Sequence, residues 1–195
     1  METLFKTATT SELLELVGQP AVSDAIALEI LDAADHRYLR DLKINLQNAL
    51  RSDYLGEKEM ALTAVGIATN LGKPALLKSL QEQAIAKGAN EAEVAEAIAC
   101  GSLLAANNVL YRFRHFAGKE KYEQLPARIK MNIMANPVMG KELFELISTA
   151  VSALNGCERC VKAHEESLLA LGATEEKIFD VVRLAAVLNS LAKVL

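Results

Sequence analysis

The sequence predicts an all-α fold, a helical bundle built from a duplicated helical unit. Three observations carry this. Half of the residues are hydrophobic, with many Ala and Leu, few aromatics and no Trp, a composition dominated by helix formers. Apolar residues recur at helical spacing, and no run shows the two-residue alternation of a strand. Finally, GANEAEVAEAI (88–98) aligns with GATEEKIFDVV (172–182) at an offset of 84 residues, and Gly72 then falls on Gly156.

In chain order the apolar spacing and its punctuation predict helices over 11–17, 22–34, 37–51, 57–71, 74–87, 91–117, 127–135, 141–155, 157–171 and 175–194. The last is the clearest, with Ile178, Val181, Val182, Ala185, Leu188, Ala192 and Leu195 on one stripe. Gly172 ends the helix before it, Thr174 caps it, and Glu175 and Glu176 suit its positive end. Each half reads as helix, short break, helix, Gly-Ala turn, helix. The predicted organisation is a helical arm over 1–40 and a domain over 41–195, with pseudo-repeats at about 57–117 and 141–195. In this alignment Ala61, Lys73, Leu76 and Leu80 occupy the places of Glu145, Cys157, Cys160 and His164. The first copy keeps the packing residues and lacks the reactive ones.

Twenty-one basic and 25 acidic side chains leave a net charge of −4, which argues against general attraction to nucleic acid or anionic membrane. No apolar run is read as approaching the ~18 residues that span a bilayer. METLFKTATTSELLEL carries acidic residues where a secretory leader would have its apolar core. The expectation is a cytoplasmic protein, in a compartment that keeps thiols reduced. Three cysteines, an odd number, also fit poorly with a secreted disulfide framework.

Two of those cysteines lie in NGCERCVKAHEES (155–167). If Cys157 opens a helix, Cys157, Cys160 and His164 share one face at i, i+3 and i+7. The helix N-terminus lowers thiol pKa values, most strongly for Cys157, while His164 is placed to take a proton from Cys160. A reactive thiolate beside a second thiol is sufficient for peroxide chemistry: the first becomes a sulfenic acid and the second condenses with it to a disulfide. Two other readings stay open. Cys157, Cys160 and His164 are three potential zinc ligands, although there is no second CxxC, and Cys100, His36 and His115 lack ligand spacing. An inert buried pair with a core histidine is the third. Haem attachment needs His directly after the second Cys, where this chain has Val161.

Glu145, twelve residues before Cys157, can point back at the stripe from an antiparallel helix and hold His164 in one tautomer. Glu142 reads as its solvated neighbour. YRFRHF (111–116) interleaves aromatics with bases, but on an acidic chain it reads as a helix end or subunit surface. Cys100 reads as a small core residue, and Arg159 as exposed, with a charge able to stabilise either thiolate.

Glu145, eleven intervening residues, Cys157-Glu158-Arg159-Cys160 and then His164 resembles the alkylhydroperoxidase D signature, in the carboxymuconolactone decarboxylase-like superfamily. IKMNIMANP (129–137), FELISTAVSALNGCERCVKAHE (144–165) and NNVLYR (107–112) extend the resemblance, which covers most of the chain from about Asp41. It implies an all-helical, internally duplicated subunit assembled as a homotrimer, and an antioxidant, lipoyl-dependent alkyl hydroperoxide reductase acting on organic hydroperoxides. The implied reductant is dihydrolipoamide on a lipoyl-bearing 2-oxo acid dehydrogenase component, recharged by dihydrolipoamide dehydrogenase. The implied acceptor is a partner peroxiredoxin, alkylhydroperoxidase C. No tightly bound metal, haem or flavin is implied.

By the same resemblance Cys160 is the peroxidatic thiol, Cys157 the resolving thiol and proton donor, and Glu145 with His164 the relay that deprotonates Cys160. Helix-terminus electrostatics alone favours Cys157 as the more acidic thiol, and adjacency to His164 favours Cys160. One position departs from the family: the histidine often found before the second cysteine is Arg159, which cannot shuttle a proton. Two rival functions stand beside the main one. One is a dithiol adaptor that passes electrons to a peroxiredoxin with little peroxidase activity of its own. The other is a non-redox protein on the decarboxylase-like scaffold.

Overall fold

The structure, a computed structural model, describes residues 5–19 and 25–195. Within them the chain forms ten α-helices and one 3-10 turn and no strand. The helices are α1 (Ala8–Leu16), α2 (Ile26–Ala33), α3 (Tyr38–Ala49), α4 (Glu57–Leu71), α5 (Pro74–Ala86), α6 (Glu91–Ala117), α7 (Glu120–Gln124), α8 (Lys141–Leu154), α9 (Glu158–Ala170) and α10 (Glu175–Ala192). The predicted ends hold to within a few residues for most of them; the start of the 22–34 helix lies outside the described residues.

The 84-residue register reappears in three dimensions. Helices α4, α5 and α6 begin at Glu57, Pro74 and Glu91; α8, α9 and α10 begin at Lys141, Glu158 and Glu175. In the first set α4 packs on α5 and α6, and in the second α8 packs on α9 and α10. Gly72 and Gly156 both follow the first helix of their set with φ of 66° and 63°, a left-handed conformation that glycine adopts without steric cost. Asn90 caps α6, its side chain accepting from Glu93 N–H at 3.0 Å, and Thr174 caps α10 through Lys177 N–H as predicted.

One helix pattern fails. Residues 127–135 form no α-helix, only a 3-10 turn at Asn132–Met134, and α7 forms upstream instead. Pro126 holds Leu125 extended (ψ 134°), and Arg128 has φ of 52°, which interrupts any right-handed run. The segment is tied down by others: Arg114 donates to the Leu125 carbonyl, Met139 N–H to Glu96 at 2.7 Å, and Lys141 to the Met134 carbonyl at 3.0 Å.

A second correction concerns α6. Among the described residues it is the one helix long and apolar enough to cross a membrane, where the sequence reading saw no such stretch. In the fold it is a central helix with α4, α8 and α9 packed on it. Its buried stripe holds Val94, Ala97, Cys100 and Leu104 and also the polar Asn107 and Asn108.

Helices α1 and α2, in the predicted arm, bury Leu13, Leu14 and Leu28 in the common core. The Asp32 carboxylate accepts from the Thr7 and Thr10 hydroxyls, both at 2.6 Å, joining α2 to the start of α1. At the centre, α4, α6 and α8 meet through glycines. A Cβ on Gly101 would lie 2.4 Å from the Gly66 carbonyl oxygen, and one on Gly66 would lie 2.4 Å from Ile147 Cγ2. The first of these neighbours is backbone and cannot swing aside. Gly101→Ala is therefore expected to cost about 1–3 kcal/mol, seen as a lowered urea midpoint with an unchanged slope.

Candidate functional site

The reactive groups sit on α8 and α9 and the turn between them. Asn155 and Gly156 make that turn, and the Cys157 N–H donates to the Ser152 carbonyl at 3.0 Å. The turn is anchored from α6: Asn108 donates to Ser152 Oγ at 3.0 Å and accepts from Asn155 at 2.9 Å, while Arg112 donates to the Asn155 carbonyl. Cys157 is the N-cap residue of α9, where unpaired N–H groups and the helix dipole favour a negative charge.

Cys157 and Cys160 are joined as a disulfide, their Cα atoms 5.3 Å apart, within the ordinary range for such a bond. Cys157 is 1% exposed and Cys160 7%. That small difference marks a difference of place. Cys160, with His164, Ala163 and Arg159 from α9, lines a cavity of about 210 Å³ whose other walls are Leu104, Asn107 and Tyr111 of α6 and Met131 and Met134 of the 125–140 segment. Cys157 does not reach it. Helix-terminus electrostatics and adjacency to His164 favoured different thiols in the sequence; access from the cavity favours Cys160.

Behind Cys160, His164 Nδ1 lies 2.6 Å from Glu145 Oε2, and both side chains are buried. The second carboxylate oxygen, Oε1, accepts from Lys141 Nζ at 3.0 Å, one turn earlier on α8. Burial is the largest single influence on Glu145 and opposes its charge. The hydrogen bonds and charges of His164 and Lys141 together outweigh it and hold the carboxyl below its ordinary value. Glu145 is thus an ionised orienting group. With Nδ1 engaged, Nε2 is the ring nitrogen left to exchange a proton, and His164 is one of the residues that line the cavity.

Cys100 is fully buried beside Ser148 at 3.5 Å, and burial above all pushes its thiol up to about 12; it is the inert core residue the sequence suggested. Glu142 pairs with Lys177 at 2.6 Å. Arg159 is half exposed, paired with Glu123 and stacked 5.5 Å over the Tyr111 ring, so its charge is already engaged at the cavity rim. Phe113 and Phe116 of YRFRHF are exposed. Among the described residues no three or more His, Cys, Asp or Glu side chains converge as a metal site would require.

Sequence reading missed Lys141, although Lys and Glu four apart in KELFE is a recognisable helical pair. It also gave no role to Asn107, Met131 or Met134. Their signal is faint: at the 84-residue offset Asn107 corresponds to Leu191, an apolar core residue, so one copy has a polar group where the other does not.

The fold and site define a helical dithiol–disulfide protein with a buried carboxylate–histidine pair. Residues 120–195 match the carboxymuconolactone decarboxylase family. Along most of its length the chain is similar to proteins named alkyl hydroperoxide reductase AhpD. That of Anaeromyxobacter sp. (strain Fw109-5) is 40% identical over 153 residues, covering 78% of this chain and 82% of the relative. That of Maricaulis maris (strain MCS10) is 39% identical over 158 residues, 81% and 91%. That of Coxiella burnetii (strain RSA 331 / Henzerling II) is 39% identical over 160 residues, 80% and 90%. The chain belongs to the alkyl hydroperoxide reductase AhpD family.

Because the native state holds the Glu145 carboxyl below its unfolded value, the unfolded chain takes up this proton first as pH falls. The associated stability is full above the ordinary carboxylate range and is lost as pH drops through the depressed value. Glu145→Gln removes this contribution. Between pH 6 and pH 3 the unfolding midpoint of the wild type is expected to fall more steeply than that of the variant; parallel curves would contradict the ionised assignment.

Proposed function

We propose that the protein is an alkyl hydroperoxide reductase that cycles Cys157 and Cys160 between dithiol and disulfide. The observation that carries this reading is the disulfide itself, with one sulfur at an apolar cavity and the buried His164–Glu145 pair behind it. The names of the relatives support the same activity.

In the reduced state His164, oriented by Glu145, takes the proton of Cys160. The Cys160 thiolate attacks the terminal oxygen of the hydroperoxide, forming an S–O bond as the O–O bond breaks. Sulfur loses two electrons, and the leaving alkoxide takes a proton from Cys157 and departs as the alcohol. The Cys157 thiolate then attacks the Cys160 sulfenic acid, and hydroxide leaves as water with the proton held on His164. Two thiols and one hydroperoxide thus become a disulfide, an alcohol and water.

A dithiol must restore the pair by exchange. In this reading it is dihydrolipoamide carried by a lipoyl-bearing 2-oxo acid dehydrogenase component, and the reduced pair also serves a peroxiredoxin of the alkylhydroperoxidase C type. Family membership supports both. The subunit would work as a cytoplasmic homotrimer, whose contacts would cover exposed apolar side chains such as Val109, Phe113 and Phe116.

Reduced protein treated with one equivalent of an organic hydroperoxide, then alkylated and mapped by mass spectrometry, should show a Cys157–Cys160 disulfide with Cys100 alkylated. Free cysteines at both positions would overturn the reading. Cys160→Ser is expected to abolish turnover, and full activity would remove its assigned role. His164→Gln should shift Cys160 thiolate formation, followed against pH, to higher pH; an unchanged profile would remove the relay.

A further inference from the structure

Three buried side-chain atoms among the described residues have no hydrogen-bond partner: Gln19 Oε1, Asn107 Oδ1 and Arg183 Nε. Of these residues only Asn107 lines the cavity that holds Cys160 and His164. It is 4% exposed, and its amide nitrogen donates to Met131 Sδ at 3.2 Å, a weak acceptor. A buried carboxamide so poorly satisfied calls for a reason.

Its neighbour sharpens the contrast. Asn108 uses both ends of its amide, on Ser152 and Asn155, and so accounts for itself as a structural anchor. Asn107 lies on the other flank of the same buried stripe, with Leu104 and Tyr111 at i−3 and i+4 forming the α6 wall of the cavity. The remaining lining is mostly apolar, from Leu104, Met131, Met134 and Ala163. The equivalent position in the other repeat is the fully buried Leu191, so the helical unit itself has no need of a polar group there.

We propose that the Asn107 carboxamide accepts the terminal O–H of the hydroperoxide and so aims its outer oxygen at Cys160, while the apolar walls take the organic group. This rests on the peroxidase reading above. The geometry of attack suits the role. The oxygen that bears the hydrogen is the one the thiolate takes, and its O–H bond survives as the sulfenic acid O–H. Asn107 therefore holds the same hydrogen before and after O–O cleavage and keeps the sulfenic acid oriented while Cys157 attacks. A buried acceptor of this kind favours ligands that bring a donor and rejects those that bury it unpaired. The substrate class is then a small organic hydroperoxide with a free O–H and an apolar body.

The test uses reduced full-length protein, cumene hydroperoxide, and methyl methanethiosulfonate, a thiol reagent that carries no hydrogen-bond donor. In Asn107→Leu, the rate of Cys157–Cys160 disulfide formation with cumene hydroperoxide should fall about tenfold or more. Modification of Cys160 by the thiosulfonate, and reduction of the disulfide by dihydrolipoamide, should keep wild-type rates. An unchanged hydroperoxide rate, or a parallel fall with the thiosulfonate, would overturn the proposal. A second measurement needs no variant. On the wild type, 2-phenyl-2-propanol should inhibit the hydroperoxide reaction at roughly one-tenth the concentration its methyl ether requires, and equal inhibition would count against Asn107. Wild-type protein that forms no disulfide with hydroperoxide removes the function and this inference together. Wild-type reactivity retained in Asn107→Leu removes this inference alone.

Discussion

The contact on which the rest of the molecule depends is the meeting of α4, α6 and α8 at Gly66, Gly101 and Ile147. Two helices approach closely only where neither presents a side chain, and Gly101 against the Gly66 carbonyl meets that condition. With Ile147 seated against Gly66, the rotation of α8 about its axis is set. Glu145, two residues earlier and about 200° around the helix, then faces away from α4. The same close approach places Asn108, two turns along α6 from Gly101, beside the turn that carries Cys157, and Asn107 in the cavity wall.

Within that frame the site is governed by one carboxylate between two potential cations. An isolated carboxylate at 4% exposure would be driven to its neutral form by desolvation. Hydrogen bonds from His164 and Lys141 reverse this. An ionised Glu145 in turn fixes the orientation of His164, since a carboxylate only accepts. The thiols are distinguished by place: Cys157 is enclosed at the head of α9, and Cys160, one turn on, borders the cavity. A substrate entering that cavity meets Cys160, while Cys157 lies behind it, bonded to its sulfur and outside the cavity lining.

The repeated unit shows how such a site is added to a fold. Helices start 84 residues apart in both sets, and Ala61, Leu76 and Leu80 stand buried where the other copy has Glu145, Cys160 and His164. Apolar side chains at those positions supply packing alone. Replacing them in one copy introduces buried polar groups, each satisfied by another of the set or by Lys141. In the copy without the cysteines, Asn107 replaces an apolar counterpart, Leu191, and its side-chain oxygen has no such partner.

The sequence by itself determined the helical class, the 84-residue register and the core of the site. Cys157, Cys160 and His164 are legible because they share one face of one helix, and Glu145 because a single short turn reverses the chain onto it. Local spacing fixes such neighbours. The cavity was not legible, since its walls come from α6, α9 and a segment between prolines that reads as a helix over 127–135. There Pro126 and the tethers from Arg114, Glu96 and Lys141 override local propensity. Which thiol faces that cavity, and that the Asn107 side-chain oxygen is left without a partner beside it, are matters of tertiary packing. They depend on groups brought together from distant positions in the chain, for which no local periodicity exists.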